Sequence, residues 1–280
     1  MSKLICLFSA VLMAVSVAQP IDAAEIAITV DDLPYAMPRR TSPQEGIAIV
    51  KAINKALAER SVIATGFVIG ANINESTLPA LETFRDAGHS IGNHSWSHPD
   101  YNKMTPDQFR SETQKSDAKL ADWMVGRKLY RFPYLRQGDT MEKRKASAKI
   151  LAELGYRNVP VSIDNDEWRF NADYVKALSE GDQTAAEQIA TRYLEHMQER
   201  TAHFQKLAQD KFGRDVKHIL LLHMNRINAD HLGVLLDQYA EDGWSFITVE
   251  HALADPVYDA PDLYVGPRGL SQIERVIGGQ

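Results

Sequence analysis

The chain has 280 residues, of which 44% are hydrophobic and 24% are charged, and its formal net charge is −6. This composition excludes a disordered or fibrous protein and allows one large domain or two small ones. No block of basic residues is present, which argues against a nucleic-acid partner, because domains that bind nucleic acids usually carry a clustered basic face. The single cysteine, Cys6, excludes an intramolecular disulfide and a thiolate-cluster metal site. Any metal site must therefore use histidines and carboxylates.

The first 24 residues have the layout of a secretory signal peptide. Lys3 gives a positive start, and residues 4–17 form an apolar run without charge. This run is short for a membrane span, which needs ~20 residues. We therefore expect cleavage after Ala18 or Ala24, a periplasmic or secreted protein without stable membrane insertion after cleavage, and one folded domain over residues 25–280.

After the signal peptide, runs rich in β-formers alternate with helical runs. The predicted strands are residues 26–30, 62–68, 89–92, 128–132, 159–163, 218–222 and 245–249. The predicted helices are residues 44–60, 76–87, 106–125, 142–154 and 228–242. Strands that alternate with helices indicate an α/β fold with a parallel sheet. About seven such units favour a single barrel over an open sheet.

Two segments depart from this alternation. Residues 172–217 contain no strand signal, and their apolar residues recur at helical spacing. This pattern predicts one long amphipathic helix on a barrel flank, or two helices broken by a turn. Structural packing, a substrate-side wall and a dimer face are all compatible with it, so the oligomeric state stays open. The tail, residues 256–280, is rich in proline and glycine and predicts an extended strap over the barrel.

Clusters of polar residues follow or end five of the predicted strands. They are Asp31 and Asp32, His94 and His98, Arg131, the group Asp164, Asp166 and Glu167, and finally His223. In a parallel β/α barrel the carboxyl ends of all strands open on one face, where active sites are assembled. The sequence therefore predicts that these side chains meet in one site.

The first two clusters suggest a metal site. His94 and His98 are four residues apart and can place both imidazoles on one side of the chain. Alone, such a pair is common by chance, and adjacent aspartates can simply cap a helix or satisfy a turn. Two histidines and one aspartate together complete a zinc-type ligand set that leaves a position open for water. Because successive strand residues face opposite ways, one aspartate can bind the metal while its neighbour acts as base.

With these residues in view, the sequence resembles the polysaccharide deacetylases, carbohydrate esterase family 4. Five motifs of that family occur in its order, at residues 29–33 (TVDDL), 94–99 (HSWSHP), 131–134 (RFPY), 164–168 (DNDEW) and 221–223 (LLH). The resemblance implies a distorted (β/α) barrel with fewer than eight strands. It also makes residues 25–280 a deacetylase catalytic domain that removes acetyl groups from N-acetylated sugars.

The resemblance implies a role for each residue of the first three motifs. Asp32, His94 and His98 are expected to bind a divalent metal, usually zinc. Asp31 is expected to be the general base. Arg131 is expected to pair with Asp31 and keep it ionised, since a guanidinium grips a carboxylate with two parallel hydrogen bonds.

The remaining motifs are expected to supply the acid and the substrate contacts. His223 is the expected general acid, which protonates the leaving amine. A carboxylate of the fourth motif is expected to orient it, and Glu167 is favoured because it directly precedes Trp168. Tyr134 is expected to offer its backbone N–H to the oxyanion. Trp168 and Leu221 are expected to wall the pocket for the acetyl methyl group.

Two positions depart from the family pattern. Leu33 stands where the family has glycine, so we expect a different first loop that narrows or reshapes the cleft. In the fourth motif Glu167 stands where the family has aspartate, and Asp164 and Asp166 remain alternatives for its role. If the segment is extended, Asp164 and Asp166 lie on one side and Glu167 on the other.

The functional expectation is a metal-dependent deacetylase that acts on N-acetylated glycans of the cell envelope, such as peptidoglycan or chitooligosaccharide. An amidase or deformylase that acts on a small non-polysaccharide amide would use the same residues and is the main alternative. A catalytically silent sugar-binding relative would lack the base, the acid or a metal ligand, and all of these residue types are present.

Overall fold

A computed structural model describes residues 23–279. The predicted signal peptide lies outside these residues, apart from its last two. The strands are β1 (Glu25–Leu33), β2 (Thr65–Val68), β3 (Ser90–Asn93), β4 (Lys128–Tyr130), β5 (Tyr156–Asn158), β6 (His218–His223) and β7 (Ser245–Ile247). The α-helices are α1 (Pro43–Ala58), α2 (Leu78–Asp86), α3 (Pro106–Leu120), α4 (Met141–Glu153), α5 (Glu167–Ser179), α6 (Gln183–Phe212), α7 (Arg226–Glu241), α8 (Val249–Ala252) and α9 (Gln272–Val276).

The helices begin where the sequence offers capping groups. Ser42 caps α1, which has Pro43 in its first turn, and Thr105 forms a capping box with Gln108 at the start of α3. Such side chains accept hydrogen bonds from amides that have no partner inside the helix. The C-terminus of α6 is capped by Gly213, whose φ of 68° is readily adopted by glycine.

The strands form one parallel sheet that curls into a half-barrel. The order is β5-β4-β3-β2-β1-β6, and β7 pairs with the beginning of β1. This confirms the predicted α/β fold with about seven parallel strands in a distorted barrel. A single parallel bridge between Ile163 and Leu220 links the segment after β5 to β6. All strands therefore direct their carboxyl ends to one face.

The fifth predicted strand is wrong in its position. The regular strand is β5, Tyr156–Asn158, whereas residues 159–163 make only the isolated bridge at Ile163. Pro160 explains the difference, because proline has no N–H to donate to a strand ladder. The irregular segment brings the backbone from β5 across to β6. It also places the Val159 carbonyl next to the Arg131 side chain.

The segment without strand signals forms two helices, α5 and α6, joined by a short turn. The 30-residue α6 packs against α5 and α7. The tail forms a strap that includes a 3-10 turn and the short helix α9. Gln272 in α9 docks the strap by donating its N–H to the Val161 carbonyl at 2.7 Å.

The core lies on both faces of the sheet, as expected for parallel strands. Ile26, Ile28 and Val30 of β1 are fully buried between the helical layers. A second cluster of aromatic side chains, which includes Phe109 and Phe132 stacked at 5.2 Å, supports the end of β4. Within residues 23–279, no helix has the length and apolar character that crossing a membrane requires.

Candidate active site

The predicted site residues meet in one cleft of about 510 Å³ at the carboxyl ends of the strands. Eight of the ten line it directly: Asp31, Asp32, His94, His98, Tyr134, Trp168, Leu221 and His223. The other two, Arg131 and Glu167, are buried behind this lining, and each is hydrogen-bonded to a residue that lines the cleft.

Three ligand atoms converge on one side of the cleft. Asp32 Oδ1 lies 3.8 Å from His94 Nε2 and 3.6 Å from His98 Nε2, and all three atoms lie within 4.8 Å of one another. In the described part of the chain this buried oxygen has no hydrogen-bond partner. An unpaired buried carboxylate oxygen is unfavourable, and a cation with bonds of ≈ 2.0–2.2 Å to these atoms would satisfy it. The three residues therefore fit a divalent metal.

His94 is held in the ring state that a metal ligand needs. Its Nδ1 donates to the Arg131 carbonyl at 2.8 Å, so the lone pair of the neutral ring is on Nε2 and faces the site. Burial, together with nearby His98, lowers the pKa of His94 well below its usual value. His94 is therefore neutral at physiological pH.

The backbone around the cleft adopts conformations that are rare for side-chain-bearing residues. Among the described residues, six of the eight non-glycine residues with positive φ line the cleft: Asp32, Met37, His98, Tyr134, Leu135 and Asp166. Such conformations persist only where surrounding contacts hold them. For His98, the contact is its N–H, which donates to Ser95 Oγ at 3.0 Å, while Ser95 N–H donates to the Asn93 side chain.

Asp31 and Arg131 form a buried ion pair beside the candidate metal ligands. Arg131 Nη1 lies 3.2 and 3.3 Å from the two carboxylate oxygens of Asp31. Its Nη2 donates to Thr29 Oγ1 and its Nε to the Val159 carbonyl. Burial raises the pKa of Asp31, although Arg131 and His223 oppose the shift. A carboxylate that is fixed in place and more basic than usual is suited to accept a proton.

His223 faces the cleft from β6 and is paired with Glu167. Its Nδ1 lies 3.1 Å from Glu167 Oε2, and its backbone N–H donates to Glu167 Oε1 at 2.8 Å. Burial by itself would lower the pKa of His223, but Glu167, with Asp32 and Asp31 nearby, raises it to about 10. The imidazole is therefore protonated at neutral pH, and its Nε2 is left to face the cleft.

The three carboxylates of the fourth motif have different surroundings. Glu167 is the first residue of α5, whereas Asp166 before it has a φ of 55° and an exposed side chain. This turn replaces the extended segment, so simple alternation does not describe the motif. Asp164 lines the cleft, where burial and the neighbouring Asp166 raise its pKa to about 6. Within residues 23–279, Glu167 is the carboxylate that contacts His223.

Sequence reasoning missed the residues that hold Glu167. Asn228 Nδ2 donates to Glu167 Oε1 at 2.6 Å and also to the His223 carbonyl, while Asn225 Nδ2 lies 3.2 Å from the same Oε1. Both asparagines are buried at the start of α7. Their position shortly after the LLH motif is the only sequence signal, and asparagine at a helix start usually means a cap. Asn225 is indeed also the cap of α7.

The C-terminal strap completes the wall at Tyr134. A Cβ atom at Gly269 would lie 1.8 Å from the Tyr134 carbonyl oxygen, so only glycine allows this approach. Tyr134 itself has a φ of 56°, and its side chain is 54% exposed. The contact holds the peptide that follows Tyr134, which is adjacent to the peptide that carries the predicted oxyanion donor. No pattern in the sequence indicated this contact.

Leu33 does not reshape the cleft with its side chain. It is fully buried and packs over Gly66 in β2, where a Cβ would lie 2.5 Å from a Leu33 methyl group. The cleft walls instead come from Leu221, which is buried, and Trp168, which is 50% exposed at the rim. The Leu33 side chain therefore points into the core, while Ala36 and Met37 of the loop that follows it line the cleft. The expected reshaping of the cleft by this loop stays a prediction.

The sequence profile of the polysaccharide deacetylase family matches residues 18–159, about half of the chain. The chain belongs to this family. A peptidoglycan-N-acetylglucosamine deacetylase of Bacillus cereus is 29% identical over 153 residues, which cover 54% of this chain and 48% of that enzyme. The match thus spans about half of this curated relative.

Solved structures show the same fold at lower identity. A carbohydrate esterase family 4 pseudoenzyme from Bacillus anthracis superimposes with a TM-score of 0.58 at 16% identity, covering 83% of this chain and 66% of its own. A family 4 acetyl xylan esterase from Clostridium thermocellum, in complex with a cobalt ion, gives a TM-score of 0.55 at 19% identity over 81% of this chain and 89% of its own. The family is hydrolytic but includes a pseudoenzyme, so membership alone leaves the substrate open.

The ligand geometry predicts that His94→Ala lowers the affinity for Zn²⁺ by roughly 10²-fold or more, since one of three ligands is lost. Metal analysis after dialysis and calorimetric titration measure this. His89→Ala is the matched control, because His89 is also buried and immediately precedes β3, but its side chain accepts a hydrogen bond from the Ala64 N–H and lies outside the cleft. Stoichiometric, undiminished binding by the His94→Ala variant would show that the site is assigned to the wrong residues.

The Glu167 contact predicts a shift in pH dependence. Because Glu167 raises the pKa of His223, Glu167→Gln should lower that pKa and move the alkaline limb of the kcat profile to lower pH. Asp164→Asn, which changes a carboxylate in the same cleft, should leave the limb in place. Measuring kcat over about pH 6 to 11 tests this prediction, because that range extends beyond a pKa near 10. An unmoved limb in Glu167→Gln would rule out this carboxylate as the partner of His223.

The strap contact predicts that Gly269→Ala lowers kcat by roughly tenfold or more, because either the strap or the Tyr134 peptide must move. Zn²⁺ binding should be retained. Gly233→Ala in α7 is the control: its Cβ would lie 3.4 Å or more from the Arg60 guanidinium, and alanine should stabilise the helix by up to ~1 kcal/mol. Full activity of Gly269→Ala would mean that the strap has no part in the site.

Proposed function

We propose that this protein is a metal-dependent deacetylase that removes acetyl groups from N-acetylated sugars of a cell-envelope glycan, such as peptidoglycan or chitooligosaccharide. We also propose zinc as the metal and, from the leader-like N-terminal residues, action in the periplasm or outside the cell. The observation that carries the proposal is the convergence, in one cleft, of a buried base, a three-residue metal site and a protonated histidine. These are the groups that hydrolysis of an unactivated amide requires.

The residues divide the hydrolysis between them. A divalent cation held by Asp32, His94 and His98 would polarise the acetamide carbonyl and make water more acidic. Asp31, oriented by Arg131, takes the proton from the attacking water. The Tyr134 N–H donates to the developing oxyanion.

Bond cleavage then needs a proton at the leaving nitrogen. His223 gives it from Nε2 as the C–N bond breaks, and Glu167 stabilises the imidazolium until that moment. The products are acetate and a free amine. The surroundings match these roles, since Arg131 pairs with the Asp31 carboxylate and His223 is charged before the reaction begins.

The rim of the cleft supports a sugar as the substrate. Met37, Tyr134 and Trp168 are large apolar side chains that are about half exposed, and all three border the cleft. Exposed apolar side chains that border one cleft are typical of a ligand-binding site. Aromatic rings of this kind stack on the apolar faces of pyranose rings, while buried Leu221 offers a wall for the acetyl methyl group.

The decisive experiment is acetate release by the Zn²⁺-loaded protein from peptidoglycan, chitooligosaccharides, acetylated xylan and small aryl or alkyl amides. We expect release from the N-acetylated glycans. Asp31→Asn and His223→Ala should each lower kcat by roughly 10²–10⁴ with Zn²⁺ still bound, and His223→Ala should lose the alkaline limb. Release from small amides or from xylan alone would replace the proposed substrate. Near-full activity of either variant would overturn the mechanism.

A further inference from the structure

One stripe of helix α6 faces the loop of the fourth motif. Tyr193, His196 and Arg200 lie at spacings of three and four residues, so they share one side of the helix. His196 and Arg200 donate hydrogen bonds to the backbone of the fourth-motif loop. Tyr193 donates to Asn228, which in turn binds Glu167. The proposed chemistry assigns no role to this stripe.

Two members of the stripe hold the loop backbone. His196 Nε2 donates to the Asn165 carbonyl at 2.5 Å, and Arg200 Nε donates to the Asp164 carbonyl at 3.1 Å. The next residue, Asp166, has the left-handed φ of 55°. A loop outside regular structure has no ladder to satisfy its carbonyls, so these two donors fix the direction of the strained turn.

The third member reaches the carboxylate itself. Tyr193 donates its hydroxyl hydrogen to Asn228 Oδ1 at 2.8 Å, and Asn228 Nδ2 donates to Glu167 Oε1 at 2.6 Å. All three side chains are buried. Because the Asn228 oxygen is engaged by Tyr193, its NH₂ group points at Glu167, where a flipped amide would set oxygen against oxygen.

We propose that this stripe of α6 is a positioning device: it fixes the loop that leads into Glu167 and Trp168 at the start of α5, and through Glu167 it fixes the direction of His223. The inference rests on the proposed function, since the orientation of His223 affects catalysis only if His223 donates a proton to the leaving amine. Tyr193, His196 and Arg200 are positioning residues, because none of them lines the cleft.

The test uses the full chain loaded with Zn²⁺. His196→Ala removes the donor to the loop, and His196→Gln keeps an N–H at a similar reach. His203→Ala is the matched control, since His203 is an exposed histidine on the same helix. Tyr193→Phe removes only the hydroxyl at Asn228. The readouts are kcat and KM for acetate release, Zn²⁺ binding, and the Nδ1–H resonance of His223 in ¹⁵N-histidine-labelled, metal-free protein, identified by its loss in His223→Ala.

We expect His196→Ala and Tyr193→Phe to lower kcat by roughly 3- to 10-fold, the effect of one lost hydrogen bond, with Zn²⁺ binding unchanged and the His223 resonance shifted. His196→Gln should restore most of the rate, and His203→Ala should match the wild type. An unchanged rate and resonance in His196→Ala and Tyr193→Phe would overturn the inference, as would a loss in His196→Ala that glutamine does not restore.

The two proposals fail separately in this experiment. If the wild-type protein releases no acetate from any glycan, the proposed function is wrong. In that case the His223 resonance alone still decides the positioning role. A shift in His196→Ala that is absent in His203→Ala supports it, and the absence of any shift refutes it.

Discussion

Arg131 is 1% exposed, and the residues of the candidate active site are arranged around its buried guanidinium group. Burying a charge costs several kcal/mol unless it is paired and hydrogen-bonded. Arg131 meets this requirement with the Asp31 carboxylate, Thr29 Oγ1 and the Val159 carbonyl, and its own carbonyl accepts from His94. One residue thus ties β1, β3, β4 and the segment after β5 together. Asp31, the proposed base, and His94, a candidate metal ligand, are fixed relative to each other by the same contacts that stabilise the buried charge.

The environment also separates the protonation states of the site. Burial keeps His94 neutral, as a ligand must be, and raises the pKa of Asp31, as suits a base. His223 is equally removed from water, yet the Glu167 carboxylate reverses the effect of burial and keeps it charged. His94 and His223 therefore have opposite protonation states on the same face, and the charge of the neighbouring side chains determines which state each adopts.

The two elements that break the strand–helix alternation both support loops of the cleft. The α6 stripe bonds carbonyls of the fourth-motif loop, and the strap lays Gly269 against the Tyr134 carbonyl. Both loops contain non-glycine residues with positive φ, Asp166 and Tyr134, which need external contacts to persist. The candidate catalytic groups come from strand ends, whereas α6 and the C-terminal strap contact the loops beside them.

The sequence by itself determined the parallel α/β class and the residue types gathered at the strand ends, because hydrophobic alternation and motif order are local properties of the chain. It also pointed to His94, His98 and one of the two aspartates Asp31 and Asp32 as one site, since parallel strand ends share a face. The family resemblance selected Asp32. Only the tertiary structure decided that the fifth strand precedes Pro160, and that Glu167 rather than Asp164 meets His223. The choice of carboxylate follows from the turn at Asp166 and from contacts to α6 and α7. These contacts join residues that are 31, 36 and 61 positions apart in the chain, and no local pattern encodes them.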